Sequence, residues 1–359
     1  MGLADIRKRI DAVDEEIFER IERRAELVRE VASERKDTGV LTHDPERERE
    51  ILARFEARAE SSRAGLPKAS IREIYREIMS ACLSIEQSHS VAYMGPPGTF
   101  SHIAARNAFG LAARYLDFPT IVNVIDQVAR GAVTYGVVPI ENSTEGGVTA
   151  TLDTLVEADV MIRGELVIEV AVCLIGRESE LAKIRRVYSH PQPLAQCRLF
   201  LSQALPNAEI VSSASTTAAI HEAAIDDSAA ALGSRLAAEL YGLPVIRDGV
   251  QDRSQNATRF VILAKTDGPP TGNDKTSIVF STPHAQGALR RALQIFDEEG
   301  INLTRIESRP ALNQRWEYVF FTDVLGHRSD EPVSRAIERL KQSCATVRVL
   351  GSYARADTP

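Results

Sequence analysis

Where Gln255-Asn256-Ala257-Thr258-Arg259-Phe260 leads into an apolar run ending at Leu263, a hydroxyl and a permanent cation stand side by side at the start of a strand. A threonine O–H donates a hydrogen bond and a guanidinium presents a forked set of N–H donors, so the pair suits a small anionic substrate. Thr-Arg-Phe is a common tripeptide and carries little by itself. Four further junctions repeat the chemistry, each passing from a strand through a small polar loop into a helix: Gly95 to Ser101, Glu141 to Gly147, Ser189 to Gln192, and Ser215 to Thr217. Each offers unpaired backbone N–H groups and a positive dipole end to an anion, and in open α/β sheets such junctions line the ligand crevice. Any one of them is equally an ordinary helix cap of Ser, Thr or Asn; several in one region favour a binding cleft. No GxGxxG is present and no GxxxxGK followed by Ser or Thr, which argues against NAD and ATP. His190 has no His, Cys or Asp at ligand spacing and is assigned to loop packing rather than to a metal.

A second set of charged residues lies near the N-terminus. Arg24 and Arg35 are 11 residues apart. On a helix that spacing returns to nearly the same face after about 16 Å, within reach of two long side chains converging on one small dianion. Arg7 lies 17 residues from Arg24, about 25 Å along the axis, so only an antiparallel partner helix could bring it to the same site. Asp44, Arg47 and Glu48 share one face of the next helix, and Cys82 and Glu86 one face of a third. Most other arginines here are expected to be solvated surface charge.

The elements that must position these residues fall into three regions. From Leu3 to Lys36 there is no Pro or Gly, and apolar residues recur every three or four positions from Ile6 to Val31. The pattern predicts one amphipathic helix about 50 Å long, more than a three-helix unit can cover, so a dimer is expected. A second helix begins at Asp44-Pro45, a favourable N-cap and first position, and a third near Ser70. Residues 90–265 alternate strand and helix patterns. Candidate strands include Val91–Met94, Ile121–Val124, Gly136–Ile140, Val167–Ile175, Arg186–Tyr188, Ile210–Ser213, Ala229–Leu232, Val245–Arg247 and Arg259–Ala264. Intervening helices predict parallel sheets with crossovers. Thr266–Asp274, rich in Pro, Gly and Asp, has linker composition, and the pattern after it is βαββαβ, the ferredoxin-like plan.

At 359 residues two or three domains are expected. A net charge of −7 and a pI near 5.7 argue against a general nucleic-acid or acidic-membrane binder. The four cysteines are scattered without a CxxC or Cys/His cluster, so neither zinc nor a disulfide framework is indicated. With no apolar signal core and no run near the roughly 18 apolar residues of a membrane span, a cytosolic protein is expected.

The segments IRKRIDAVDEEI, RRAELVREVA, HDPEREREIL and IYREIMSACLSIEQ, covering nearly all of residues 3–88, resemble the all-helical chorismate mutase family. The resemblance implies an intramolecular Claisen rearrangement of chorismate without a cofactor. In it the partner chain's Arg7 and Arg24 hold carboxylates, Arg35 approaches the ether oxygen, and Asp44 meets the hydroxyl. Arg47 and Glu48 complete one wall with Cys82 nearby, and Glu86 faces the ether. Fixed cations aimed at an oxygen that gains charge as its bond breaks would stabilise the transition state. Arg35 and Glu86 depart from a common form of the pattern, which carries lysine and glutamine there.

AYMGPPGTFS, GVVPIENSTEGG, YSHPQPLAQC and NATRFVIL, in that order over residues 91–264, resemble prephenate dehydratase. This implies two α/β lobes around a cleft, similar to the bilobal periplasmic-binding architecture, and loss of carbon dioxide and hydroxide from prephenate to give phenylpyruvate. Aromatisation drives that reaction, so a hydrogen-bond donor on the leaving oxygen is the main requirement, and Thr258 is the candidate. Thr99, Ser101, Glu141, Asn142, Ser189 and Gln196 join the site by resemblance. Arg259 is either a carboxylate anchor or one half of an interlobe or loop ion pair.

GALRRAL and NLTRIESRP in the C-terminal region resemble an ACT domain of the kind attached to prephenate dehydratases, where phenylalanine binds and inhibits. Gly287, Ala288, Leu289, Asn302, Glu307, Ser308, Arg309 and Pro310 would carry that site. The expected organisation is 1–88 mutase, 90–265 dehydratase and 275–354 ACT module, a bifunctional enzyme that uses chorismate and prephenate as a homodimer or higher oligomer. Two other organisations fit the same motifs: a dehydratase whose helical arm serves only dimerisation or regulation, and a non-catalytic sensor of aromatic acids. If burial beside Cys82 raises the Glu86 pKa and only the protonated acid donates to the ether, mutase activity falls as pH rises. Glu86→Gln is then expected to flatten the pH–rate profile, and an unshifted profile would exclude the idea.

Overall fold

Thirty-three residues free of helix breakers, Leu3–Arg35, form helix α1. Helices α2 (Pro45–Glu60) and α3 (Lys68–Ser84) follow. The computed structural model describes residues 2–35, 45–62, 65–85, 89–253, 255–311 and 318–356. It divides into two compact units, Met1–Ser90 with Arg106–Arg114, and Val91–Ala105 with Tyr115–Pro359. In the first, Phe55 of α2 stacks on Tyr75 of α3 with ring centroids 3.8 Å apart. Segment 106–114 is bound in by Ser80, whose Oγ donates to Phe109 O at 2.7 Å and accepts from Ala112 N at 3.1 Å. Much of the apolar stripe of α1, including Ile6, Ile10, Val13, Ile17, Leu27 and Val31, is exposed within the chain. No helix among the described residues is long and apolar enough to cross a membrane.

After the helices the first lobe runs β1 (Ser90–Met94), α4 (Phe100–Phe109), β2 (Arg114–Phe118), α5 (Ile121–Ala129), β3 (Tyr135–Asn142), β4 (Gly146–Gly147), α6 (Thr149–Glu157) and β5 (Met161–Glu169). The chain then crosses to a second lobe of β6 (Cys173–Gly176), β7 (Arg186–Ser189), α7 (Pro191–Gln196), α8 (Arg198–Ala204), β8 (Glu209–Ser212), α9 (Thr216–Ala224), β9 (Ala229–Gly233), α10 (Arg235–Tyr241) and β10 (Val245–Arg247). It returns as β11 (Ala257–Ala264), which inserts antiparallel between β3 and β5. The sheet orders are β2-β1-β3-β11-β5, with β4 on β3, and β10-β6-β9-β7-β8. Both are mixed rather than parallel, because each lobe exchanges strands with the crossing segments.

Two strand expectations fail for identifiable reasons. Ile121–Val124 is the start of helix α5: Thr120 caps it by accepting from Asn123 N at 3.1 Å, and Ile121, Val124, Ile125 and Val128 bury one helical face. A four-residue apolar run does not distinguish the two periods. Val167–Ile175 is divided between β5 and β6, which belong to different sheets. Residues 170–172 cross between the lobes beside the returning chain, with Val170 N donating to Asn256 O and Val250 N to Val172 O, both at 2.8 Å. Strand β2 was not anticipated.

The last region is β12 (Asp274–Ser281), α11 (Ala288–Glu298), β13 (Leu303–Pro310), β14 (Tyr318–Leu325), α12 (Glu331–Ser343) and β15 (Thr346–Ala354). The sheet order β13-β14-β12-β15 is that of the βαββαβ plan. Two helices cover one face, and the other shares a core with the first lobe: Val279, Phe321, Leu350 and Tyr353 pack with Val138, Leu152, Val261 and Leu263. The expected linker is pinned as well. Gly268 N donates to Ser352 O at 2.9 Å, Arg163 Nη1 to Asp267 O at 2.7 Å, and Arg328 pairs with Asp267 at 2.9 Å. At the closest approach, a Cβ on Gly351 of β15 would stand 2.1 Å from the Ile162 carbonyl oxygen of β5. Gly351→Ala therefore has to separate sheet from lobe and is expected to destabilise the protein by at least about 1–3 kcal/mol, read as a lowered urea midpoint.

Candidate functional site

The start of β11 is fixed by both neighbours: Thr258 pairs with Asn142 of β3 and with Ile168 of β5, and Arg259 with Glu141 and Val167. Cross-strand partners share a face and successive residues alternate, so Thr258 and Asn142 lie on one face and Arg259 and Glu141 on the other.

On the first face Asn142 is the hub. Its Oδ1 accepts from the backbone N–H groups of Thr144 at 2.9 Å and Glu145 at 3.1 Å, which fixes the amide orientation. Its Nδ2 therefore points to Thr258 Oγ1 and Asn256 Oδ1, each at 2.9 Å. Thr144 Oγ1 donates to the same Asn256 oxygen at 3.1 Å. Thr258 Oγ1 thus accepts one hydrogen bond, and among the described residues nothing accepts its own proton. The hydroxyl is left with its proton available to donate. Asn256, buried beside Thr258, is missing from the expected site; its only sequence signal was its place in the same motif.

The other expected site residues each lie in a hydrogen-bonded turn or at an element end. Thr99 Oγ1 donates to Met94 O at 3.0 Å and accepts from His102 N, so it caps α4, and Ser101 is buried in that turn. His102 Nδ1 accepts from Gly98 N at 3.1 Å, and its ring stacks on Tyr93. The loop meets the second lobe where Ser234 Oγ donates to Gly98 O, and a Cβ on Gly98 would sit 2.8 Å from that of Ala237. Ser189, fully buried at the end of β7, donates to Leu232 O at 3.4 Å. Gln196 ends α7 half-buried, its carbonyl accepting from Asp252 N at 2.7 Å. His190 caps α7 by accepting from Gln192 N, the loop role expected of it. Gln192 Nε2 donates to Glu145 across the lobes at 3.0 Å.

Arg259 and Glu141 lie on the opposite face of the sheet from Thr258. Arg259 Nε donates to Glu165 at 2.7 Å, Nη1 to Asp323 at 2.6 Å, and Nη2 to the Tyr353 hydroxyl at 2.9 Å. Glu141 takes Arg259 Nη1 at 3.5 Å and Arg305 Nε at 3.3 Å. Arg259 is thus engaged with β5 and with two strands of the C-terminal sheet. Burial works against its charge, but Tyr353, Asp323 and Glu165 outweigh it and the Arg259 pKa is raised. Burial likewise pushes the Asp323 carboxyl up, and the Arg259 cation with the Ser277 hydroxyl outweighs it, holding the acid below its ordinary value.

Strand β13 divides the expected effector residues in the same way. Glu307 faces the first lobe, pairs with Arg305 and lies where a Cβ on Gly147 would be. Arg309 grips Asp153 of α6 through Nε at 2.8 Å and Nη2 at 3.2 Å, with Nη1 on Thr149. Ser308 and Pro310 alternate to the exposed side. Gly287 supplies the left-handed turn before α11, with φ 72°; Ala288 is buried, Leu289 half-buried in the helix-side core, and Asn302 exposed.

In the helical unit Arg7 is exposed and Cys82 buried. Arg24 is half-buried, and its Nη1 has no hydrogen-bond partner among the described residues. Arg47 pairs with Glu50 on the surface and Glu48 is half-buried. Asp44, Glu86 and the side chain of Arg35 lie outside the described residues.

Three family models match in succession: chorismate mutase type II over residues 6–87, prephenate dehydratase over 91–268, and ACT domain over 276–342. A bifunctional chorismate mutase/prephenate dehydratase of Aquifex aeolicus is 42% identical over 355 residues, 99% of this chain and 98% of its own. Among solved structures, the prephenate dehydratase of Arthrobacter aurescens in complex with L-Phe is 36% identical, with a TM-score of 0.68 over 74% of this chain and 90% of its own. GqqA, described as a quorum-quenching acylase, is 32% identical with a TM-score of 0.67 over 74% of this chain and 98% of its own.

Asp323→Asn leaves Arg259 partly unpaired in a buried setting and is expected to cost about 3–5 kcal/mol at neutral pH. Because the folded-state pKa of Asp323 is depressed, its contribution is present above the unfolded value of about 3.9 and lost as pH falls through the lower folded value. Urea midpoints of variant and parent should therefore converge on acidification below about pH 4.

Proposed function

We infer that this chain, which belongs to the family of bifunctional chorismate mutase/prephenate dehydratases, converts chorismate to prephenate in its helical unit and prephenate to phenylpyruvate in its bilobal unit. The observation that carries the second step is the Thr258 hydroxyl, which accepts from Asn142 Nδ2 at 2.9 Å and so keeps its own proton available to donate. In that step the bond to the ring carboxylate breaks, its electron pair enters the ring, and hydroxide leaves from the opposite carbon. Thr258 hydrogen-bonds the leaving oxygen, and the proton that completes water is shared or relayed rather than surrendered by a weak acid. Asn142, Asn256 and Thr144 hold Thr258 in place, and the Thr99–Ser101, Ser189 and Gln196 turns supply the cleft walls. The nearest partner of Thr258 Oγ1 is an amide Nδ2, which cannot take a proton. A threonine nucleophile for acyl transfer needs a base at that position, so the geometry favours the donor role.

In the mutase unit Arg24 presents a buried, unspent N–H donor, as a carboxylate-binding arginine requires. Arg35, Arg47, Glu48, Cys82 and the acids Asp44 and Glu86 are proposed to complete the site. The exposed apolar stripe of α1 is proposed to pair with a second copy, bringing the partner subunit's Arg7 to Arg24. Phenylalanine is proposed to bind the ACT region at Gly287–Leu289, Asn302 and the exposed side of β13, and to inhibit dehydration.

Chorismate loss and phenylpyruvate appearance, followed together on the purified protein, test both steps. Thr258→Ala is expected to lower dehydratase kcat by about 10²–10⁴-fold while chorismate is consumed at the parent rate and prephenate accumulates. Undiminished phenylpyruvate production would remove Thr258 from the mechanism.

A further inference from the structure

We propose that Arg259 is a positioning residue: it clamps the strand that carries Thr258 to the C-terminal sheet, and the phenylalanine signal reaches Thr258 through its pairing with Asp323. The inference rests on the dehydratase reading above and assigns the route by which that site is regulated.

The cluster holds both halves of the donor pair. Arg259 follows Thr258 in β11, and its cross-strand partner Glu141 precedes Asn142 in β3. Whatever moves Arg259 and Glu141 moves the backbone from which the Asn142-to-Thr258 hydrogen bond is built. Every strand of the C-terminal sheet contributes a side chain: β12 gives Lys275 to Glu165 at 2.8 Å and Ser277 to Asp323, β13 gives Arg305 to Glu141, β14 gives Asp323, and β15 gives Tyr353. The charges are scarcely solvated, with side-chain exposures of 12% for Arg259, 2% for Glu165 and 3% for Asp323. Separating one partner in such a place leaves an uncompensated charge, so the cluster moves as a set or changes to a different pairing. Strand β13 is the natural lever. Its Ser308 and Pro310 side is exposed, and its Arg305, Glu307 and Arg309 side is locked to Glu141, Gly147 and Asp153. A ligand that shifts β13 from the exposed side withdraws Arg305 from Glu141 and re-partitions Arg259 between Glu141 and Asp323.

The test is steady-state prephenate turnover, with and without phenylalanine, for the full-length parent, Arg259→Lys, Asp323→Asn and Glu141→Gln. The positioning role predicts for Arg259→Lys a kcat lowered at least about 10-fold with KM within about threefold. Asp323→Asn, whose side chain lies in the C-terminal sheet, is expected to shift the phenylalanine half-inhibition concentration at least about 10-fold, with non-additive effects when combined with Arg259→Lys. Glu141 is part-exposed, so Glu141→Gln keeps the fold and is expected to blunt inhibition even if Asp323→Asn unfolds. A KM raised about 100-fold in Arg259→Lys with kcat retained, or a phenylalanine response unchanged in both carboxylate variants, overturns the inference and leaves the dehydratase reading intact. A parent protein that does not turn over prephenate removes that reading and this inference with it.

Discussion

The insertion of β11 between β3 and β5 is the constraint on which the rest of the second unit depends. An interior strand has ladder partners on both sides, so a slip of one residue is penalised twice and would exchange every side chain between faces. Here that exchange would put the guanidinium of Arg259 where the Thr258 hydroxyl stands. The strand is also the return leg of the two-lobe connection, since the chain leaves the first lobe through residues 170–172 and re-enters it at Ala257. The donor is therefore placed where the lobes are joined, and its position is set by the ladder more than by the loops around it.

Thr258 itself is a weak acid in an ordinary conformation. Its hydroxyl is held by Asn142, whose amide cannot flip because two backbone N–H groups occupy its oxygen. Asn256 and Thr144 finish the arrangement without a charged group touching the hydroxyl. The charged residues of the same motif are gathered on the other side of the sheet, where they bind the regulatory region instead. A neutral donor on one face and a buried ionic cluster on the other come from adjacent residues of one strand.

Part of the fold was legible in the sequence. The N-terminal helices and the βαββαβ order followed from local patterns of period and capping. The failures share a cause, which is dependence on partners remote in the chain. Arg259 could not be assigned a face because Glu165 and Asp323 lie 94 and 64 residues away. Val167–Ile175 looked like one strand because its division is imposed by two different sheets. Ile121–Val124 is short enough to suit either period, and the cap from Thr120 makes it helix. Only contact with Asn142 distinguishes Asn256 from any polar residue before a strand.

The pinned segment Thr266–Asp274 and the Gly351–Ile162 contact have a bearing on modularity. By composition the C-terminal region looks like a portable cassette on a tether, the kind of piece that gene fusion adds or removes at little cost. Its apolar face, however, is half of a core whose other half is Val138, Leu152, Val261 and Leu263 in the first lobe. Cutting the chain at the Pro- and Gly-rich stretch would open that core on both fragments, so the sequence boundary there is not a boundary of cooperative unfolding. A chain without this region would have to cover that buried surface in another way.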